Sequence, residues 1–138
     1  MSLTHKIVQT KLTKGLLDLI ILQLVDTHPM HGYELIVTIR KIYGVSFGAS
    51  TIYPLLGTME KKKLIKCEWN TNGERPKKVY ELTSQGKCLL DYTTGSLRVI
   101  CQIIEREKMK GPDEHLQLKV EQSPKTNEEF PFSNSKFF

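Results

Sequence analysis

Apolar residues recur at helical spacing in four stretches of the chain and alternate in two short ones. Leu17, Ile20, Ile21 and Leu24 share one face of a helix predicted from Thr13 to about Asp26, with Thr13 able to cap its first turn. Leu16, Leu19 and Leu22 widen the stripe, so burial on most sides is expected. His28-Pro29 ends the helix, because the residue before a proline is pushed out of the α region. A second helix is predicted from about Gly32 to Tyr43, with Leu35, Ile36, Ile39 and Ile42 on one face and Gly44 as its stop. A third lies between Ser46 and Lys63, with Ile52, Leu55, Leu56 and Met59 toward the core. Its solvent side then carries Ser50, Tyr53, Pro54, Gly57, Thr58 and Lys61. Pro54 removes one backbone bond. Either the regular helix begins near Tyr53, or residues 47–53 form a first turn that tolerates a bend; the second is the expectation.

The periodicity then switches. Ile65, Cys67 and Trp69 alternate with Lys66 and Glu68 as in a half-buried strand, and Lys78–Leu82 reads as the returning strand of a hairpin. The intervening Asn70–Lys77 is polar and too long for a two-residue turn, so it should project into solvent. Thr83 caps a long helix reaching about Met109. In it Leu90, Thr93, Leu97, Ile100 and Ile104 are spaced 3, 4, 3, 4, the seam of a coiled-coil-like contact, with Leu89, Val99 and Ile103 broadening it. A small N-terminal unit cannot cover so long a stripe, and the simplest cover is a second copy. Leu90, Leu97, Ile100 and Ile104 are the expected dimer contacts. Beyond Gly111-Pro112 the chain is polar, and a flexible tail is expected over 111–138. Within it, His115–Glu121 alternates like a strand and four of the five phenylalanines fall in the last nine residues, a candidate docking segment.

Charge sharpens this picture. The 138 residues carry 20 Lys and Arg against 15 Asp and Glu, a formal net charge of +5. Residues 1–87 hold 13 of the basic and 7 of the acidic groups, so the positive field belongs to the N-terminal part. The ordinary apolar and charged fractions exclude collagen-like, fully disordered and cysteine-scaffold classes. The longest apolar run, Leu19–Leu22, is far short of the roughly 20 residues of a membrane helix. No basic-then-apolar leader precedes it, and a cytoplasmic chain without membrane contact is expected. Cys67, Cys88 and Cys101 show no CxxC spacing and read as buried free thiols. A bridge between two copies of Cys101 would need their Cβ atoms within about 4 Å.

The order helix–helix–helix–strand–loop–strand is that of a winged helix-turn-helix. The predicted class is therefore mainly α with a small β-hairpin, plus a long C-terminal dimerisation helix. It divides the chain into a DNA-binding domain at 1–83, a dimerisation helix at 84–110 and the tail. A helix about 10–12 Å across fits a major groove about 12 Å wide. The third helix offers it Ser50, Thr51 and Tyr53, with Lys61, Lys62 and Lys63 at its end. Arg75, Lys77 and Lys78 sit where a wing would follow the neighbouring backbone, and each phosphate so neutralised releases counterion. Each piece alone has a plainer reading, as a solvated helix end or an ordinary loop. Winged helices also serve as protein-interaction adaptors, for which the Phe-rich tail would be the docking motif.

Several runs also resemble the PadR family of prokaryotic transcriptional regulators: Gly15–Asp18, His31-Gly32-Tyr33-Glu34-Leu35, Ser50-Thr51-Ile52-Tyr53-Pro54-Leu55-Leu56, Glu60 with Leu64-Ile65, Glu68-Trp69, and Lys78–Thr83 leading to Gly86. The resemblance covers about Leu12 to Gly86. It implies a homodimeric repressor on a palindromic operator, with Tyr33 and Tyr53, matching the family's two motif tyrosines, holding the DNA backbone. It further implies a small hydrophobic ligand near the dimer interface. Here the long helix departs from an aromatic stacking pocket, since it has no tryptophan and Tyr92 is its one aromatic.

Catalytic signals are lacking. His5, His28, His31 and His115 are scattered, with no pair at i, i+4 and no cluster at metal spacing; His31 is expected to pack or cap at its helix start. There is no Gly-rich phosphate loop, GxSxG elbow or paired acid constellation. The expectation is a protein that is not an enzyme and needs no cofactor or metal.

Overall fold

The computed structural model describes residues 2–111, so the expected flexible tail beyond Gly111, with its strand-like alternation at His115–Glu121 and its phenylalanine cluster, lies outside the described residues. The chain divides into two compact units, Met1–Asp91 and Tyr92–Phe138. Five helices and a three-stranded sheet are present: α1 (Leu3–Gly15), α2 (Leu17–Thr27), β1 (Met30–His31), α3 (Gly32–Tyr43), α4 (Ala49–Lys61), β2 (Ile65–Asn70), β3 (Lys77–Leu82) and α5 (Ser84–Lys108).

The first helix expected from Thr13 to Asp26 is two. Ser2 caps α1 by accepting from the His5 N–H at 3.2 Å, and a single residue, Leu16, separates α1 from α2. Thr13 is therefore no cap. It is buried in the last turn of α1 and donates to the Gln9 carbonyl at 2.7 Å. In α2 the wide apolar stripe is as expected: Leu17, Ile20, Ile21, Leu22, Leu24 and Val25 are buried. After Pro29 the chain forms β1, a strand of two residues, too short for any alternation to announce it. Met30 and His31 pair antiparallel with Tyr80 and Val79, making β3 the centre of a sheet in the order β1-β3-β2.

Helix α3 has the predicted bounds. The His31 Nδ1 accepts the Glu34 N–H at 3.2 Å as its N-cap, and Gly44 at φ 70° closes its far end. Leu35 and Ile39 are buried, but Ile42, placed on the core face by periodicity, is exposed because it falls in the last turn, past the core. In α4, Ile52, Leu56 and Met59 are buried and Leu55 is half-buried, while Ser50, Tyr53, Pro54, Gly57, Thr58 and Lys61 are all exposed. The helix runs through Pro54 from a start at Ala49, within the span expected to hold a bent first turn. The carbonyl that loses its donor belongs to Ser50, an exposed residue, where water can satisfy it. Lys63, at φ 62°, ends α4: its N–H reaches the Glu60 carbonyl at 3.0 Å and that of Leu64 the Met59 carbonyl at 3.0 Å, a Schellman closure made without glycine.

The hairpin β2–β3 pairs Ile65 with Leu82 through to Asn70 with Lys77. Thr83 caps α5 as expected, accepting the Gly86 N–H at 2.9 Å. Gly86 packs so tightly on the Leu64 carbonyl that a Cβ there would collide with backbone that cannot swing aside. Gly86→Ala should therefore lower unfolding free energy by about 2 kcal/mol, measured by urea denaturation; an unchanged midpoint would show that α5 can shift freely. Of the thiols, Cys67 is half-buried, and Cys88 and Cys101 are exposed instead of buried, Cys88 because it lies off the apolar stripe of α5 and Cys101 because the stripe around it, Ile100 and Ile104 included, is itself exposed. Among the described residues no helix is long and apolar enough to cross a membrane.

Candidate nucleic-acid interface

Three elements converge on one cleft of about 650 Å³. The N-terminus of α3 contributes His31, Gly32 and Tyr33, α4 contributes Tyr53 and Gly57, and the hairpin contributes Trp69, Pro76, Lys77, Lys78 and Tyr80. The two tyrosines named from the sequence thus stand at one place, although 20 positions apart in the chain. Tyr33 is 66% exposed and Tyr53 46% exposed, so neither is a core residue. Glycine at position 32 is what lets them meet: a Cβ built there would lie 2.5 Å from Tyr53 Cε1 and 2.8 Å from its hydroxyl oxygen. The Tyr53 ring rests directly on the α3 backbone.

Of the remaining predicted contacts, Lys77 and Lys78 line this cleft and the others do not. Ser50 and Thr51 are exposed in the first turn of α4, Lys61 is exposed at its last, and Lys62 is half-buried at its cap. Arg75 is exposed on the loop at 71–76, every residue of which is exposed, as expected for a projecting wing. Lys77 is exposed at the start of β3. Lys78 differs from the others. Its Nζ lies 3.5 Å from Glu60 Oε1 and 5.8 Å from the centre of the Tyr80 ring.

That pair has chemical consequences. A hydrogen bond from the Cys67 thiol, aided by the charge of Lys78, holds the Glu60 carboxyl below its ordinary value. The same bond pushes the Cys67 thiol up, so it remains protonated and is a poor nucleophile. Burial disfavours the Lys78 charge, but Tyr80, Cys67 and Glu60 outweigh that and raise its pKa. Lys78 is thus a fixed cation in the cleft wall, whereas Lys77, Lys61 and Arg75 are exposed ones. Among the described residues no group of three or more His, Cys, Asp or Glu could hold a metal ion.

Trp69, expected in the half-buried row, is 64% exposed at the cleft. Alternation had placed it on the correct face, but the core beneath that face ends before it. Leu90, by contrast, is buried, while Leu97 is half-buried and Ile100 and Ile104 are 51% and 56% exposed.

Comparison with known proteins accords with this arrangement. Residues 21–91 match the model of the transcriptional regulator PadR-like family. A PadR family transcriptional regulator from Eggerthella lenta is similar in structure, with 27% identity, a TM-score of 0.67, and cover of 73% of this chain and 88% of the other. A PadR family regulator from Clostridium difficile shares 27% identity over 66% of this chain and 96% of the other, with a TM-score of 0.62. A PadR-like transcriptional regulator from Bacillus cereus shares 25% over 73% and 99%, with a TM-score of 0.65. Comparison with curated proteins finds no match. With its helix–helix–helix–hairpin order and the family model spanning half its length, the chain belongs to the PadR-like family of transcriptional regulators, DNA-binding winged-helix proteins and not enzymes.

Proposed function

We propose that the protein is a homodimeric repressor that binds a palindromic operator in the cytoplasm, reading it with the exposed side of α4 and gripping the flanking backbone with the hairpin. The observation that carries this reading is the cleft, where Tyr33, Tyr53, Lys77 and Lys78 meet beside the open face of α4. Ser50 and Thr51 are short donors and acceptors placed to reach base edges or phosphates, while Lys61, Lys62 and Arg75 extend the positive field to either side.

Dimerisation has its own support. Val99, Ile100, Ile103 and Ile104 form a continuous exposed apolar strip on α5, and Leu3, Ile7, Val8 and Leu12 are exposed on α1. Single exposed apolar residues are ordinary, but runs of this kind mark surfaces that another molecule covers. In such a dimer the two α4 helices would enter successive major grooves about 34 Å apart, one helical turn. A small hydrophobic effector seated between the copies would act on this same apolar surface. Thermal stabilisation by a planar hydrophobic compound, with release of DNA, is its signature.

The test is affinity for a palindrome from the chain's own promoter, measured across salt. Affinity should fall steeply as salt rises, and Tyr53→Phe should weaken it about tenfold through loss of one phosphate hydrogen bond per half-site. Absence of binding at low salt, or a flat salt response, would end the reading.

A further inference from the structure

Trp69 is the chain's single tryptophan, and its place follows from strand geometry. Ile65, Cys67 and Trp69 point to one face of β2, and their partners across the ladder, Leu82, Tyr80 and Lys78, share that face. Burial fades along this row, from buried Ile65 through half-buried Cys67 to exposed Trp69. The hairpin outruns the helical core, so the face that packs at one end lines the cleft at the other. Its opposite face carries Lys66, Glu68, Val79 and Glu81, with Asn70 and Lys77 at the loop end and Lys66 paired to Glu81 at 3.6 Å. Away from Lys77, with the Lys66–Glu81 pair and the Glu68 carboxylate, that outer face is the one a polyanion would avoid. The inner one combines an open indole with Lys78, and Lys77, the first residue of β3, lines the same cleft from the strand's end.

A phosphate group by itself would engage the lysines and the tyrosine hydroxyls but would leave the indole against water. In a duplex the bases are stacked inside, and the apolar surface that accompanies every phosphate is its deoxyribose. We propose that the cleft seats one phosphodiester of duplex DNA together with its deoxyribose, the Trp69 ring packing on the sugar while Lys77 and the Tyr33 and Tyr53 hydroxyls hold the phosphate. This rests on the DNA-binding reading above and adds to it a neutral contact residue that charge patterning does not reveal.

The experiment titrates the full chain with a labelled duplex from its own promoter, reading label anisotropy and Trp69 emission together. Both signals should change over the same concentration range. Trp69→Ala should bind about tenfold more weakly, less than the loss of a stacked base in each half-site would cost. Its salt slope should match wild type, since no charge is lost, whereas Lys77→Ala should reduce the slope by about two, one for each half-site. Trp69→Phe, which keeps an apolar wall, should retain most of the affinity. Normal anisotropy with unchanged Trp69 emission and wild-type affinity for Trp69→Ala would overturn the sugar contact and leave DNA binding standing. A reduced salt slope in Trp69→Ala would also overturn it, by showing that the ring only places a lysine. No anisotropy change at low salt would remove both readings together.

Discussion

Gly32→Ala is expected to weaken operator binding about a hundredfold while leaving the melting temperature within a few degrees of wild type. The backbone tolerates the change, since Gly32 opens α3 without a left-handed φ and alanine is a good helix former. What the methyl group cannot share is space with Tyr53, whose ring atoms lie 2.5 and 2.7 Å from the Cβ position. Tyr53 is half exposed, so its ring can swing outward at small cost to the fold. Both ring and hydroxyl then leave the cleft. Losing roughly 1–1.5 kcal/mol of backbone contact in each of two half-sites amounts to about a hundredfold. The check pairs a binding titration with a melting curve. Wild-type affinity in Gly32→Ala would mean that the ring position seen here plays no part in DNA binding.

A larger loss, on the order of a thousandfold, is expected when Ile100 and Ile104 are both changed to glutamate. These side chains are more than half exposed on α5, so two carboxylates cost the single chain little. In a paired copy they would place like charges inside an apolar seam, where burial of an unpaired charge is strongly unfavourable. Once the copies separate, each must bind its half-site alone, without the effective-concentration gain of the linked pair. Sedimentation should then report a monomer with an unaltered circular-dichroism spectrum. A variant that remains dimeric would place the interface elsewhere, and a monomer with full operator affinity would dissociate dimerisation from DNA reading.

The parts legible in the sequence are those governed by local chemistry. Helix α3 is bounded by a capping histidine and a left-handed glycine, and both signals lie within the segment itself. The exposed side of α4 follows from the spacing of Ile52, Leu56 and Met59. Features that depend on distant chain were hidden. Strand β1 is two residues long and exists only because β3 offers it an edge. Helix α1 turns Leu3, Ile7, Val8 and Leu12 outward, so no core requirement marked it, and its junction with α2 at Leu16 has no proline to announce a break. Lys78 read as a free wing cation, but its partner Glu60 stands 18 residues earlier. The period of β2 gave the facing of Trp69 without telling where the core stops. The cleft is thus a product of tertiary packing, although the helix and strand periods mark several of its residues singly.

The most direct measurement is amide hydrogen exchange of the full chain, free and bound to its operator duplex. Slowed exchange is predicted at the N-terminus of α3, along the first turns of α4 and through residues 69–78. Protection confined to α2 or to the far end of α5, with 48–58 and 69–78 unchanged, would contradict the assignment of this face to DNA.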